Sequence, residues 1–387
     1  MKNSLHFFCS ALIISALCLF MCVSCGTTHH RIEKGGQAAT NTQTADESGT
    51  AQGDSRAQES VMPQVWASMW LRVSESDTAM AGYRTIEAEG QTRHIVPITE
   101  WTATPDVDTY HRLHHHGVAI ESDKMAYRIY FDKKQTIDVY AKKTPRLELG
   151  TSYWYPNDEQ LADGYGDDIL RVSGTVGVGS VKAWKDGKMV HIEPVESRTE
   201  RIAEVSKEKA AMEISVRGWQ TEGKSVDMTV RYTICAHRRD MLCEVFLSEA
   251  LDSLCTGVQL IPNKGRKDIP MLKKGQMIYQ DEQEYIDLSD GILLGSWGTD
   301  WPVNDTVKYG KETAGLGVYI PAEYAGKSVH DKRNNLALFA GKTYLRFYLT
   351  VVSLKENMPP ADDAEAFYKY LQEWREEIER GEKDNTH

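Results

Sequence analysis

The sequence predicts an all-β protein, a large antiparallel β-sandwich with one helix at its C-terminus. From residue 62 onward, short segments alternate apolar and polar residues, as at Met125, Tyr127 and Ile129, and this period of two is typical of strands with one buried face. Turn residues separate these segments, and apolar residues recur at helical spacing only near the end, over 362–380. Many short strands without intervening helices favour an antiparallel sandwich over a parallel sheet.

The first 24 residues (1–24) have the pattern of a bacterial lipoprotein signal peptide. Lys2 provides a positive start, residues 5–23 are almost entirely apolar, and small residues precede Cys25. We expect cleavage before Cys25 and acylation of its thiol, which would attach the protein to the membrane through lipid only. The alternatives are a plain secretory signal and an N-terminal membrane helix, because the apolar run is just long enough to span a bilayer.

Residues 25–61 are expected to be a flexible, lipid-anchored tether. They consist of Gly, Thr, Ser, Gln and Ala with scattered charges, so burial could not offset the entropy lost on ordering them. The residues directly after Cys25 are not acidic, whereas an acidic segment there accompanies surface display in similar lipoproteins. We therefore expect a protein of the bacterial cell envelope, anchored in the outer membrane and facing the periplasm.

Residues 62–387 are expected to fold as a single β-sandwich domain that ends in the helix 362–380. The clearest hairpin joins the alternating segments 226–234 and 242–247. Asp362 and Glu365 have the spacing of a capping box and predict the start of the helix.

Charge and cysteine content exclude some classes of protein. The formal net charge is −11 and there is no basic run, which argues against a nucleic-acid partner. Beyond Cys25, the cysteines Cys235, Cys243 and Cys255 follow the signal peptide, an odd number without the spacing of a metal site. They are expected to be buried thiols, and a Cys243–Cys255 or Cys235–Cys243 disulfide is the alternative.

Three consecutive histidines, 114–116, stand directly before a predicted strand and mark the candidate site. If this stretch is extended, His114 and His116 project to one face and can ligate a divalent metal ion, with Asp167, Glu121 or Asp168 as a third ligand. Neutral imidazoles are also suited to removing a proton from a sugar ring carbon. The alternative is a polar loop whose histidines are satisfied by neighbouring groups.

Arg128 and Tyr165 are further catalytic candidates. Arg128 lies on the strand after the histidines, where its guanidinium can clamp a uronate carboxylate through two parallel hydrogen bonds; a cross-strand ion pair is the alternative. Tyr165 belongs to the loop 164–168 and is a second candidate base. The adjacent carboxylates of this loop suit a calcium ion or sugar hydroxyls, unless the loop is only a solvated turn.

Trp297, Asp300 and Trp301 form the candidate substrate-binding edge. Flat aromatic rings stack on the C–H faces of sugars, and Asp300 can accept hydrogen bonds from sugar hydroxyls. The alternative is core packing, in which tryptophan side chains are frequent.

Five motifs together resemble a bacterial protein family, domain of unknown function 4861. The motifs span residues 121–130, 137–143, 164–168, 172–179 and 182–188. The resemblance extends from about residue 100 to the C-terminal helix. It implies a galactose-mutarotase-like β-super-sandwich, as found in sugar epimerases and polysaccharide lyases. It also implies a Bacteroidetes-type lipoprotein encoded beside polysaccharide-degrading systems.

Two functions are compatible with these features. The first is an envelope enzyme that acts on an oligo- or polysaccharide as a lyase or epimerase, with a histidine of 114–116 or Tyr165 as the base. Arg128 or a divalent metal would neutralise the substrate carboxylate. The second is a glycan-binding lipoprotein without activity that uses Trp297 and Trp301 as its stacking platform.

Overall fold

The computed structural model of this protein describes residues 64–88, 91–261, 277–278, 291–306 and 309–384. The predicted signal peptide (1–24), the lipidation site Cys25 and the tether (25–61) lie outside the described residues. Within the described ranges, no helix combines the length and the apolar character needed to cross a membrane.

The chain divides into two units. The first spans Ser60–Glu373 and contains every described strand. The second comprises Met1–Glu59 and Trp374–His387, of which the structure describes only the helical residues 374–384.

The described strands form three sheets. The first sheet contains seven strands: β1 (Val65–Val73), β2 (Arg84–Ala88), β3 (Gln91–Ile98), β5 (Gly117–Ser122), β6 (Met125–Tyr130), β7 (Ile137–Ala141) and β8 (Asp167–Asp168). Their order is β2-β3-β1-β5-β6-β7-β8, and all neighbours are antiparallel.

The second sheet contains nine of the described strands: β4 (Glu100–Ala103), β11 (Ser197–Val205), β12 (Lys209–Thr221), β13 (Lys224–Cys235), β14 (Met241–Leu247), β16 (Met277–Ile278), β17 (Ile292–Asp300), β18 (Glu312–Ile320) and β21 (Tyr344–Ser353). Their order is β16-β17-β18-β21-β14-β13-β12-β11-β4. All neighbours are antiparallel except the short β16–β17 pair. The predicted hairpin is β13–β14, in which Val230 pairs with Val245.

The third sheet contains five of the described strands: β9 (Lys182–Lys185), β10 (Lys188–Val190), β15 (Leu254–Gln259), β19 (Ala325–His330) and β20 (Asn334–Phe339). Their order is β10-β9-β15-β20-β19. The described helices are α1 (Thr109–Arg112), α2 (Asp158–Ala162) and α3 (Ala364–Asp384), with 3₁₀ turns at Glu75–Asp77 and His114–His116.

The nine-stranded sheet contributes the largest share of the core. β1 and β5 of the first sheet pack against β11–β13, and β15 of the third sheet packs against β17 and β18. One continuous apolar cluster joins the three sheets, and it includes Ile120, Ile129, Met212, Val230 and Phe347. The predicted all-β, antiparallel fold with a C-terminal helix is therefore confirmed.

Helix α3 begins against β18, where two glycines leave room for it. A Cβ at Gly315 would lie 2.5 Å from the ring of Phe367, and one at Gly317 would lie 2.4 Å from Leu371. The helix begins at Ala364 rather than at 362, because the capping side chain is Asp363, whose Oδ1 accepts a 2.8 Å hydrogen bond from the Ala366 amide.

The cysteines Cys235, Cys243 and Cys255 are not joined in disulfides, as the main prediction stated. Cys243 and Cys255 are buried and Cys235 is half-buried. Burial in apolar surroundings raises the pKa of the Cys243 thiol well above its usual value, so this thiol stays protonated.

Candidate functional site

The candidate site lies on the polar face of the seven-stranded sheet. Residues directly opposite one another in antiparallel strands share a face, and the pairs Ala119–Arg128 and Arg128–Asp138 therefore place these side chains together. Arg128 and Asp138 are each only 1% exposed. They are buried because the segment between β7 and β8, residues 142–166 (the covering segment), contacts this face. The other face of the same strands forms the apolar core.

A buried ion pair anchors the covering segment. Glu121 Oε2 accepts a hydrogen bond from Lys142 Nζ, and both side chains are about 1% exposed or less. The same carboxylate accepts hydrogen bonds from the amides of Glu148 (2.8 Å) and Leu149 (2.9 Å). Glu121, considered above as a third metal ligand, is thus occupied in holding the covering segment on the sheet.

The guanidinium of Arg128 is paired with two carboxylates. Its Nε donates to Asp138 Oδ2 at 3.0 Å, its Nη2 also donates to Asp138, and Nη2 lies 3.7 Å from Asp168 Oδ2. Its Nη1 donates to the Trp154 carbonyl at 3.2 Å. Burial and the neighbouring Asp138 carboxylate raise the pKa of Asp168 well above its usual value. The structure therefore favours the predicted cross-strand ion pair for Arg128 over a clamp on a substrate carboxylate.

The three histidines form a tight turn and are not extended. His114–His116 is a 3₁₀ turn in which His115 (φ 59°) and His116 (φ 63°) have left-handed backbone conformations, which are uncommon for residues other than glycine. Gly117 follows, where a Cβ would lie 1.9 Å from the Ile129 carbonyl oxygen. The expectation that His114 and His116 project to one face of a strand is therefore wrong.

His114 and His115 are held by backbone carbonyls of the covering segment. His114 Nε2 donates to the Ser152 carbonyl at 3.2 Å, and His115 Nε2 donates to the Leu149 carbonyl at 2.9 Å. A carbonyl only accepts, so both rings are Nε2–H tautomers. Burial lowers the pKa of His114 to about 3 and that of His115 well below its usual value. Both rings are therefore neutral over the physiological range.

His116 differs from its two neighbours in exposure: among the described residues, Nδ1 of His114 and of His115 also has no hydrogen-bond partner but is buried, whereas His116 is 9% exposed. Its Nδ1 donates to the Tyr110 carbonyl at 2.8 Å, which leaves the lone pair on Nε2. Nε2 has no hydrogen-bond partner within the described ranges. The ring stacks on Tyr110 (centroids 3.8 Å apart, planes at 8°) and on Trp154 (4.9 Å, 27°). Burial and the charge of Arg128 lower the pKa of His116 to about 3.

The indole of Trp154 contacts two arginines as well as His116. The guanidinium carbon of Arg93 lies 3.2 Å from the ring centroid of Trp154, and that of Arg72 lies 4.6 Å from it. Arg72 pairs with Ile95, two residues after Arg93, so the strand pattern places both on the polar face. We name Arg72, Arg93, His116, Tyr110 and Trp154 the Trp154 cluster.

A cleft of about 530 Å³ adjoins this cluster. Tyr110 lines the cleft and also stacks on His116. Other lining residues include His111, Lys134, Val195 and Arg198, so the cleft has both charged and apolar walls. Its volume falls within the roughly 300–1,000 Å³ that small-molecule sites occupy.

The predicted metal centre is not assembled among the described residues. No three His, Cys, Asp or Glu side chains there could hold a metal ion together. Asp167 and Asp168 are adjacent on β8 and point to opposite faces of their strand, and Asp168 faces Arg128. Burial raises the pKa of Asp167 to about 6, so this carboxyl titrates near neutral pH on the other side of the sheet.

The remaining predicted residues lie apart from the Trp154 cluster. Tyr165 hydrogen-bonds to Thr151 at 2.9 Å and packs under Arg146. Trp297 is 5% exposed and contacts Phe367 of α3 at 5.3 Å between centroids, so its side chain belongs to the core, as the alternative interpretation stated. Asp300 and Trp301 are half-buried at the end of β17.

The sequence reasoning missed Arg72, Arg93 and Tyr110. A signal was present for Arg72, since it is a charged residue on a strand whose last four residues are all half-buried. Trp154 stands between Tyr153 and Tyr155 in the sequence, a run of aromatic residues that marks no particular contact. The contacts among these residues join strands and loops that are far apart in sequence, and no local pattern shows them.

Comparison with known proteins identifies the family. The model of the family described as "Domain of unknown function (DUF4861)" matches residues 71–381, which are most of the chain. The chain therefore belongs to this family. The comparison with curated proteins found no match.

Proposed function

We propose that this member of the DUF4861 family is an envelope lipoprotein that acts on carbohydrate, as a glycan lyase or sugar epimerase that removes a ring proton. His116 is the base in this proposal. The observation that carries it is the state of His116: a neutral imidazole whose Nδ1–H is fixed by the Tyr110 carbonyl and whose Nε2 is available.

The chemistry follows from that tautomer. Nε2 takes the proton from the ring carbon next to a carboxylate, and the electron pair moves to form a C=C bond as the neighbouring C–O bond to the leaving sugar breaks. The imidazolium then returns its proton to the leaving oxygen, so no oxidant or reductant is needed. In an epimerisation the carbanion is instead reprotonated on the opposite face. Both reactions need a base and a positive potential near the carboxylate.

The surroundings of His116 support a carbohydrate substrate. The His116 ring lies between the Tyr110 and Trp154 rings, and the cleft that Tyr110 lines has room for a sugar unit. The left-handed backbone at His115 and His116 is a strained conformation of a kind that clusters at functional sites. The pattern of residues 1–25 supports the envelope location, with the outer membrane and its periplasmic face as the proposed site of action.

The alternative function is glycan binding without turnover. Its supporting observation is the half-buried Trp301 beside Asp300 at the end of β17, which leaves an aromatic face near a hydrogen-bonding carboxylate. In this case the protein would bind oligosaccharides and form no product.

A product screen tests the proposal. The purified protein is incubated with uronate-containing polysaccharides, and unsaturated uronates and new reducing ends are measured. We expect product with the wild type and with His330→Asn, an exposed control position, and loss of product with His116→Asn. Equal product from His116→Asn would contradict the assignment of the base. Absence of product together with a ligand-induced rise in melting temperature would favour the binding protein.

A further inference from the structure

Some buried arginines of this chain are paired with carboxylates, whereas others, such as Arg198, have no carboxylate partner among the described residues; Arg72 and Arg93 belong to the second group. Arg128 is paired with Asp138, and Arg239 is paired with Glu356 at 2.8 Å. Arg72 and Arg93 have no carboxylate within ion-pair distance among the described residues, although Arg93 is only 8% exposed. Their contacts are with aromatic rings, Trp154 and Tyr153. A buried charge without a partner is strongly unfavourable, so an anion is expected to complete this arrangement.

The unsatisfied polar atoms around Trp154 are largely hydrogen-bond donors. Arg72 Nε and Nη2, Arg93 Nη1 and Trp154 Nε1 are all buried and have no acceptor in the part of the chain that the structure describes. These groups can only donate. A ligand that satisfies them must therefore bring lone pairs, and a negative charge would also offset the two guanidinium charges.

We propose that Arg72 and Arg93 form a subsite for the carboxylate of a uronic acid sugar, bound at the Trp154 indole next to His116. The proposal rests on the proposed function for the ligand being a sugar. It locates the contact with the carboxylate of the uronate-containing glycans on which the proposed reaction acts. It also assigns to Arg72 and Arg93 the carboxylate contact that the sequence suggested for Arg128, whose guanidinium is already occupied.

Access and chemistry both fit this assignment. Arg72 and Trp154 are half-buried, so part of each side chain lies at the surface, while the unsatisfied donor atoms are buried and dehydrated. Planar guanidinium groups match the two oxygens of a carboxylate. Cations at this carboxylate would also stabilise the charge that develops when His116 removes the proton from the neighbouring ring carbon.

Equilibrium binding tests the subsite separately from turnover. Isothermal titration is run with oligosaccharides of galacturonate, glucuronate and mannuronate, each against its carboxyl-reduced neutral counterpart, and against sulfated neutral oligosaccharides. Wild type and His116→Asn are both titrated. We expect at least one uronate oligosaccharide to bind both proteins and its reduced counterpart to bind roughly 10- to 100-fold more weakly.

Arginine variants then locate the contact. Arg72→Gln and Arg93→Gln should each weaken uronate binding by roughly 10- to 100-fold, with Arg72→Lys intermediate. Arg217→Gln, an exposed arginine on the nine-stranded sheet, should bind like the wild type. If Arg93→Gln does not fold, as judged by its melting curve, the half-exposed Arg72 still provides the test.

The outcomes separate the subsite from the reaction. Uronate binding that depends on Arg72, without any product, would keep the subsite and overturn the proposed reaction. Product that forms from uronate glycans as fast with Arg72→Gln and Arg93→Gln as with the wild type would keep the reaction and overturn the subsite. Binding of sulfated oligosaccharides alone would overturn the carboxylate assignment, and unchanged uronate affinity in the arginine variants would overturn the location.

Discussion

The three buried histidines should make the stability of this protein strongly dependent on pH. Burial lowers the pKa of His114 and of His116 to about 3, from an ordinary value of 6.5. Each ring therefore binds fewer protons in the folded state than in the unfolded state. The free energy of unfolding is then highest above the unfolded pKa and falls as the pH decreases from 6.5 towards 3.

The size of this effect follows from the two pKa values. Each unit of pH below the unfolded pKa costs about 1.4 kcal/mol per histidine, so His114 and His116 should each cost about 2 kcal/mol at about pH 5. His115 acts in the same direction. Asp167 opposes them, because burial raises the pKa of its carboxyl to about 6, so acidification stabilises the folded state through this group.

Comparison with variants isolates the histidine contribution. Urea unfolding is measured at about pH 7.5 and about pH 5 for wild type, His114→Gln and His116→Gln, and each variant should lose about 2 kcal/mol less than the wild type on acidification. His330→Gln, at an exposed position, should keep the wild-type dependence. Equal losses in wild type and both histidine variants would refute the reasoning, since the buried rings would then not resist protonation.

Three further substitutions test the packing that supports the site, each by urea unfolding. Glu121→Gln leaves the Lys142 ammonium buried without its partner and should lower the free energy of unfolding by about 3–5 kcal/mol; a loss below about 1 kcal/mol would count against the anchoring role. Gly117→Ala places a Cβ 1.9 Å from the Ile129 carbonyl and should cost about 3 kcal/mol or more, whereas Gly174→Ala, whose nearest contact is the Arg333 side chain at 3.6 Å, should be tolerated. Trp297→Ala should cost about 3–5 kcal/mol and leave carbohydrate affinity unchanged, and reduced affinity in a folded Trp297→Ala protein would restore its predicted role in binding.

The fold was predictable from sequence because burial of one sheet face imposes a period of two. The alternation at Met125, Tyr127 and Ile129 is the core face of β6. Arg128 lies on the opposite face of β6, and its burial there depends on the covering segment. Sequence alternation shows which residues share a face, but it does not show that a later loop covers that face.

The site was only partly predictable, for two physical reasons. Left-handed backbone at His115 and His116 is stabilised by tertiary contacts, so local sequence predicted an extended stretch. The exposure of an aromatic ring also depends on distant elements. Helix α3 buries Trp297, whereas Trp154 stays half-buried where Arg72 and Arg93 meet.

Solvent deuterium incorporation tests the central claim, proton abstraction by His116, most directly. A uronate oligosaccharide is incubated with the protein in deuterated water, and mass spectrometry follows deuterium at the ring carbon next to the carboxylate or the formation of unsaturated product. We predict exchange or elimination with wild type and with His330→Asn, and neither with His116→Asn. Equal exchange or elimination by a folded His116→Asn protein would contradict the account.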